Sequence, residues 1–320
     1  MRLSVSSSDL LHFAALHPAL RGREGDPGAE AGRLGDAQRR QHLPRHARLS
    51  RREHIAGKPR RRRIGLSPGK QRLISTAKNQ ESLPGKVARG EGMPSNGDAA
   101  VDEAYDGLGH TFDFFFENYQ RNSIDDEGLA LNATVHYGKR YNNAFWNGQR
   151  MVFGDGDGKL FNRFTIALDV IGHELGHGVT EDETGLAYFQ QPGALNEHLS
   201  DVWGSLIKQW VLKQTAAKAD WLIGAGLLAA GVNGKALRSM KAPGTAFDDP
   251  VLAKDPQPEH MDQYVDTFQD HGGVHINSGI RLRAGIGAAR HNRQRSACAG
   301  RGQKACTCLL YTSPSPRDRS

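Results

Sequence analysis

His173-Glu174-Leu175-Gly176-His177 lies inside a stretch, from near Asn162 to Thr180, whose pattern predicts a long helix. Residues four apart share a helix face, so both imidazoles reach one zinc ion while Glu174 flanks the open coordination position. A catalytic zinc needs a third protein ligand. Glu197 follows His177 after nineteen intervening residues, on a second predicted helix from near Ala194 to Lys213. Its carboxylate would complete a His, His, Glu set and leave the fourth position for water. Asp201, one helical turn further on, can accept the proton of a ligand imidazole and fix its tautomer. Alone, Glu197 and Asp201 would read as a solvated helix face; the spacing after the paired histidines gives them a role.

Around this core the chain is uneven. It has 320 residues and a net charge of +7, but residues 1–75 carry +11, residues 281–320 carry +8, and the part between carries −12. A basic chain is thus an acidic middle between basic ends, and the segment with folded texture is the wrong sign for a phosphate-binding surface. A nucleic-acid-binding protein clamping phosphates with its two arms is the rival reading, and we expect no nucleic-acid partner. No apolar run approaches the roughly 20 residues that cross a bilayer, so no membrane partner is expected either. Cys298, Cys306 and Cys308 all lie in the basic tail, which excludes a disulfide scaffold. The first twenty residues hold one early Arg and a short apolar stretch, but His12 and His17 interrupt it and no clean cleavage pattern follows.

Residues 1–76 are rich in Arg, Gly, Ala, Pro and His, with Arg60 to Arg63 in a row, and show neither helical nor strand period. Three readings fit: a nucleic-acid or nuclear-targeting arm, a disordered segment, or GC-rich DNA read in the wrong frame. The texture then changes. Val101, Tyr105, Leu108, Phe112, Phe115 and Tyr119 recur at three- and four-residue steps and predict one buried helix face. Leu131, Ala133, Val135 and Tyr137 alternate as a strand does, and Asn147-Gly148 sits between AFW and RMVF as a two-residue hairpin turn would. Strands before helices predict an α+β amino-terminal lobe leading into a helical lobe. Beyond residue 280 the periodicity is lost again.

The segments HELGH and GALNEHLSDVWG, preceded by YNNAFWNGQRMVFGDGDG and followed by DHGGVHINSGI, occur in this order. Together they resemble the thermolysin family of zinc metallopeptidases, most closely its protealysin-like branch, over residues 77–280. The resemblance implies a two-lobed fold: a β-rich lobe at 98–165, a zinc-binding helical lobe at 166–280, and the zinc helix at the bottom of the cleft between them. Residues 77–97 resemble the junction between propeptide and mature enzyme, which implies a zymogen. Residues 1–76 do not resemble the family's propeptide, and residues 281–320 do not resemble its later helices, so both ends are expected to be disordered or out of frame. An inactive peptidase-like fragment is therefore the alternative to an active enzyme.

The resemblance also implies residue roles. Zinc would sit on His173, His177 and Glu197, with Asp201 bonded to His173. Glu174 would be the general base that takes a proton from water and passes it to the leaving amine. His275 and Tyr188 would donate to the developing oxyanion, and Asp270 would orient His275. Asn143 and the Ala144 carbonyl would pair with the substrate backbone as an added strand, and Arg238 would bind the carbonyl on the leaving side. Phe161, Val170 and Leu237 would line the pocket after the scissile bond, which implies a preference for a bulky apolar residue there. Thermolysin itself holds a pair of calcium ions with clustered carboxylates; here Asp169 and Asp220 remain, but Lys208, Leu222 and Ala225 replace acids. Calcium stays open as a second ion, but the double calcium site is expected to be absent. The resemblance implies a secreted monomer acting on peptide or protein substrates, with the cytoplasm as the alternative location because no clear signal peptide is present.

Overall fold

The computed structural model describes residues 69–280. The arginine run at 60–63, the three cysteines and the readings attached to both basic ends lie outside the described residues. The apolar stripe beginning at Val101 forms helix α1 (Ala99–Tyr119), with Val101, Leu108 and Phe115 fully buried. Asp98 caps it by accepting from the Ala100 and Val101 amides, so the first orphan N–H groups are satisfied. The last residue of the stripe, Tyr119, is 40% exposed and rests edge-on against Trp203.

Five strands form the main sheet: β1 (Arg72–Thr76), β2 (Lys86–Gly90), β3 (Leu131–Val135), β4 (Ala144–Trp146) and β5 (Met151–Phe153). Their order is β2-β1-β3-β5-β4. β1 pairs with β3 in parallel and with β2 antiparallel, while β5 pairs with β3 in parallel and with β4 antiparallel. Ordered structure therefore starts before the boundary expected at residue 77. Arg72–Thr76 is an interior strand, and the stretch expected to be a propeptide junction contributes β2 beside it. Parallel pairing of β1 with β3 joins residues far apart in sequence, with α1 as the crossover.

The hairpin also differs from expectation. Trp146 pairs with Met151, so the loop is the four residues 147–150 rather than two. The Asn147 side chain closes it, its Oδ1 accepting from the Gln149 and Arg150 amides at 3.0 and 2.9 Å. That side-chain closure competes successfully with the shorter turn.

A 3₁₀ turn (Phe164–Ile166) precedes helix α2 (Leu168–Thr184), which therefore begins six residues later than expected and ends with Gly185 in the left-handed conformation. Helix α3 (Gln190–Val211) begins four residues early. The two helices touch backbone to backbone: a Cβ on Gly204 would stand 2.1 Å from the Asp169 carbonyl oxygen, so only glycine permits this approach. Four short pieces, β6 (Leu222–Ile223) with β7 (Arg238–Ser239), and β8 (Asp248–Asp249) with β9 (Ala253–Lys254), form two small ladders. A helical segment, α4, spans 270–280. The result is a β-rich amino-terminal part with α1 across it and a helical part behind, with outer strand β4 laid against α2.

Candidate metal centre and cleft

His173 and His177 project from one face of α2 toward α3, where Glu197 and Asp201 lie one turn apart. Their ligand atoms gather within 4.8 Å of one another for His173, His177 and Glu197. The two Nε2 atoms are 3.1 Å apart, and each is 3.3 Å from a Glu197 carboxylate oxygen. The far nitrogens are engaged: His173 Nδ1 meets Asp201 Oδ1 at 2.7 Å, and His177 Nδ1 meets Asn196 Oδ1 at 2.7 Å and the Ser200 hydroxyl at 3.0 Å. In their neutral form, as a metal would hold them, imidazoles donating through Nδ1 turn lone pairs toward each other through Nε2. Two such lone pairs and a buried carboxylate at this distance call for a cation. Ligands at about 2.0–2.1 Å from a tetrahedral zinc stand roughly 3.3 Å apart, which is the spacing found.

The electrostatics follow from burial. Burial would raise the Glu197 carboxyl, but the His275, His177 and His173 rings outweigh it and hold the group well below the usual carboxylate range. Burial likewise pulls His173 down, yet the Asp201 and Glu197 carboxylates raise it to about 10. His177 moves the other way, lowered by burial and by its neighbour His173 against the pull of Glu197. Asp201 is itself fully buried; against that burial, Arg238 and His173 hold it at about 2. Arg238, on β7, grips Asp201 with two parallel bonds, Nε to Oδ2 at 2.8 Å and Nη2 to Oδ1 at 2.6 Å. A relay Arg238, Asp201, His173 thus fixes one imidazole, and Asn196 with Ser200 fixes the other.

Glu174 faces the sheet. Its Oε2 accepts from the Trp146 amide at 3.3 Å, which places the carboxylate against β4, the outer strand of the sheet. On the opposite side, Tyr188 leaves the link between α2 and α3 and donates its hydroxyl to Glu197 Oε1, with His275 Nε2 at 3.3 Å. Burial and then the Glu197 charge raise the Tyr188 phenol well above its ordinary value. Asp270 holds His275 twice, Oδ1 to Nδ1 at 2.5 Å and Oδ2 to the His275 amide at 2.8 Å. Burial would lower His275; Glu197 and Asp270 together raise it.

The structure therefore brings together His173, His177, Glu197, Asp201, Glu174, Tyr188, His275 and Asp270. Arg238 joins them through Asp201. Asn143 and Ala144 lie on the outer strand or next to it, the Asn143 carbonyl accepting from Gly154 N at 3.0 Å. Phe161, Val170 and Leu237 are buried members of the apolar core. Lys208, where a carboxylate was expected in a calcium-binding relative, puts its ammonium 3.0 Å from Asp169, 3.1 Å from Asp220 and 3.2 Å from the Leu222 carbonyl. Sequence reasoning missed Asn196, Ser200 and the Trp146 amide. Asn196 had a signal: the second imidazole needed a partner on α3, and polar Asn196 stands beside Glu197.

Comparison with known proteins agrees with this geometry. Residues 70–181 match the thermolysin metallopeptidase catalytic domain and residues 184–314 match the thermolysin metallopeptidase alpha-helical domain. The chain is 66% identical over 213 residues to an extracellular metalloprotease of Pectobacterium carotovorum, covering 67% of this chain and 61% of that protein. It is 57% identical over 215 residues to protease PrtS of a Photorhabdus species, covering 67% and 58%. The chain thus spans about three fifths of the length of these curated relatives. Among solved structures, the precursor of protealysin, a metalloproteinase from Serratia proteamaculans, superposes with a TM-score of 0.70 at 64% identity over 71% of each chain. With two histidines of one helix and a glutamate of the next converging inside a fold that these models and relatives match, the chain belongs to the thermolysin family.

Proposed function

We propose that this chain is a zinc-dependent endopeptidase that hydrolyses internal peptide bonds without a covalent intermediate. The observation that carries the reading is the triangle of His173, His177 and Glu197 with edges of 3.1 to 3.3 Å, flanked by Glu174 on the side of an outer sheet strand. A zinc ion held by that triangle supplies Lewis-acid polarisation of a carbonyl and acidifies water to a pKa near 7. Glu174 takes one proton from the attacking water as its oxygen bonds the carbonyl carbon, then delivers it to the nitrogen as the C–N bond breaks. His275, held by Asp270, and the Tyr188 hydroxyl donate to the oxygen that gains negative charge; such donors are each worth about 2.7 to 4 kcal/mol.

Asn143 and Ala144 bind the substrate backbone as an added strand along β4. Arg238 approaches the carbonyl on the leaving side, and Phe161, Val170 and Leu237 favour a bulky apolar side chain after the scissile bond. The Lys208 ammonium, between Asp169 and Asp220, takes the place of the calcium pair. Following the extracellular naming of its relatives, the protein works outside the cell, is made as a zymogen, and acts as a monomer on peptides or proteins. The test is hydrolysis of casein by the zinc-loaded chain and its loss in phenanthroline. Hydrolysis that persists after zinc is removed would overturn the reading, and a zinc-loaded chain without hydrolysis would leave the inactive-fragment alternative standing.

A further inference from the structure

The entry into α4 reverses its hand. Asp270, His271, Gly272 and Gly273 have φ of 53°, 47°, 84° and 76°, four successive residues in the left-handed region. The turn is pressed onto the start of α3 from two sides: a Cβ on Gly272 would stand 2.5 Å from Gln190 Cγ, and one on Gly193 would stand 2.5 Å from Val274 Cγ1. Between these contacts the His271 ring meets the Tyr188 ring at a tilt of 62°, centroids 5.5 Å apart. Tyr188 has two further ring neighbours, His177 at 5.8 Å and His275 at 6.3 Å, both on the site side. Tyr188 itself belongs to the short link after Gly185, outside any helix or strand ladder, and the residue is 38% exposed.

We propose that His271 is a positioning residue for Tyr188, its ring holding the phenol so that the hydroxyl stays beside Glu197 and His275. The left-handed backbone admits His, Asn or Asp, so the conformation alone does not explain a ring at this position; the contact with Tyr188 does. The inference rests on the peptidase reading, in which Tyr188 donates to the developing oxyanion. A donor displaced by about 1 Å loses roughly 10²-fold in rate, so a ring that confines the phenol acts on turnover rather than on substrate binding.

His271→Asn keeps a residue tolerant of the left-handed turn and removes the ring, and His271→Phe restores a ring. The full chain is labelled with 3-fluorotyrosine and loaded with zinc, and Tyr188→Phe assigns the Tyr188 fluorine resonance. We expect that resonance to move toward the position of the free amino acid in His271→Asn and to return in His271→Phe. With a fluorogenic peptide, His271→Asn lowers kcat by roughly 10- to 10²-fold with KM little changed. The double variant His271→Asn/Tyr188→Phe is then no slower than Tyr188→Phe alone. A Tyr188 resonance unmoved by His271→Asn, or losses that multiply in the double variant, would overturn the proposal. A wild-type chain that hydrolyses nothing counts against the peptidase reading instead, and the fluorine spectrum alone then decides the role of His271.

Discussion

Glu174 and Glu197 are both carboxylates at the centre of the cleft, yet their surroundings assign them different work. Glu197 is enclosed by the rings of His173, His177 and His275, which hold it as an anion. Glu174 accepts from a backbone amide of β4, and in the proposed reaction it carries the proton. Glu174→Ala is therefore expected to keep zinc, measured by metal analysis after dialysis, while casein hydrolysis falls by about 10²-fold or more; zinc lost in step with activity would contradict this division. Asp201→Ala removes the acceptor of His173 and the carboxylate that buried Arg238 grips with two bonds. We expect zinc affinity to drop about 10- to 100-fold and unfolding to be easier by about 3 to 5 kcal/mol, read by chelator competition and denaturant titration. The triad was legible because helix spacing alone carries two imidazoles to one point. The fork between Arg238 and Asp201 was not, since 37 residues and a strand ladder separate them and no periodicity links the two.

At the scale of elements, α1 was readable from its stripe, whereas β1 was hidden. Arg72–Thr76 is five residues long, follows an arginine-rich run, and becomes a strand by pairing with β2 and with β3, which lies on the far side of α1. The hand-over from α2 to α3 shows the same dependence on partners. Lys208 of α3 ties the buried first-turn Asp169 of α2 to Asp220, and burial still keeps Asp169 above its ordinary value despite that ammonium. Lys208→Met should cost about 3 to 5 kcal/mol by leaving that carboxylate without a counter-charge, and calcium should leave the melting temperature of the wild-type chain unchanged. A calcium-dependent rise in the wild type would show that a metal site survives beside the lysine.

A second junction is held by His136, whose Nδ1 contacts both Asp155 oxygens at 2.9 Å and whose Nε2 contacts the α1 cap Asp98 at 3.0 Å. Both ring nitrogens can donate only when the ring is protonated. Asp155 first, and Asp98 after it, raise the group to about 9 against its partial burial. Because the folded value is the higher one, the stabilisation is complete below about 6.5, the unfolded value, declines as pH rises, and is gone above about 9. Melting temperatures followed from pH 6 to 9.5 should fall more steeply in the wild type than in His136→Asn; parallel curves would exclude this contribution.

At the scale of the described residues, the acidic middle of the sequence folds with charges engaged in internal pairs, such as Arg238 with Asp201 and Lys208 with Asp169. Zinc bound by the folded state alone stabilises it by mass action, about 2.7 kcal/mol at a hundredfold excess over the dissociation constant. The melting temperature should therefore rise with zinc, fall with phenanthroline, and respond equally in Glu174→Ala. The outer position of β4 beside Glu174 has a further consequence. On the proposed reading, a substrate added to β4 as one more strand must first surrender its own backbone hydrogen bonds. Susceptibility is then governed by how readily a segment of the target chain can straighten, ahead of which side chains it carries. Native proteins with mobile loops should be nicked there and nowhere else, their helices and sheets becoming substrates only when heat or denaturant has loosened them.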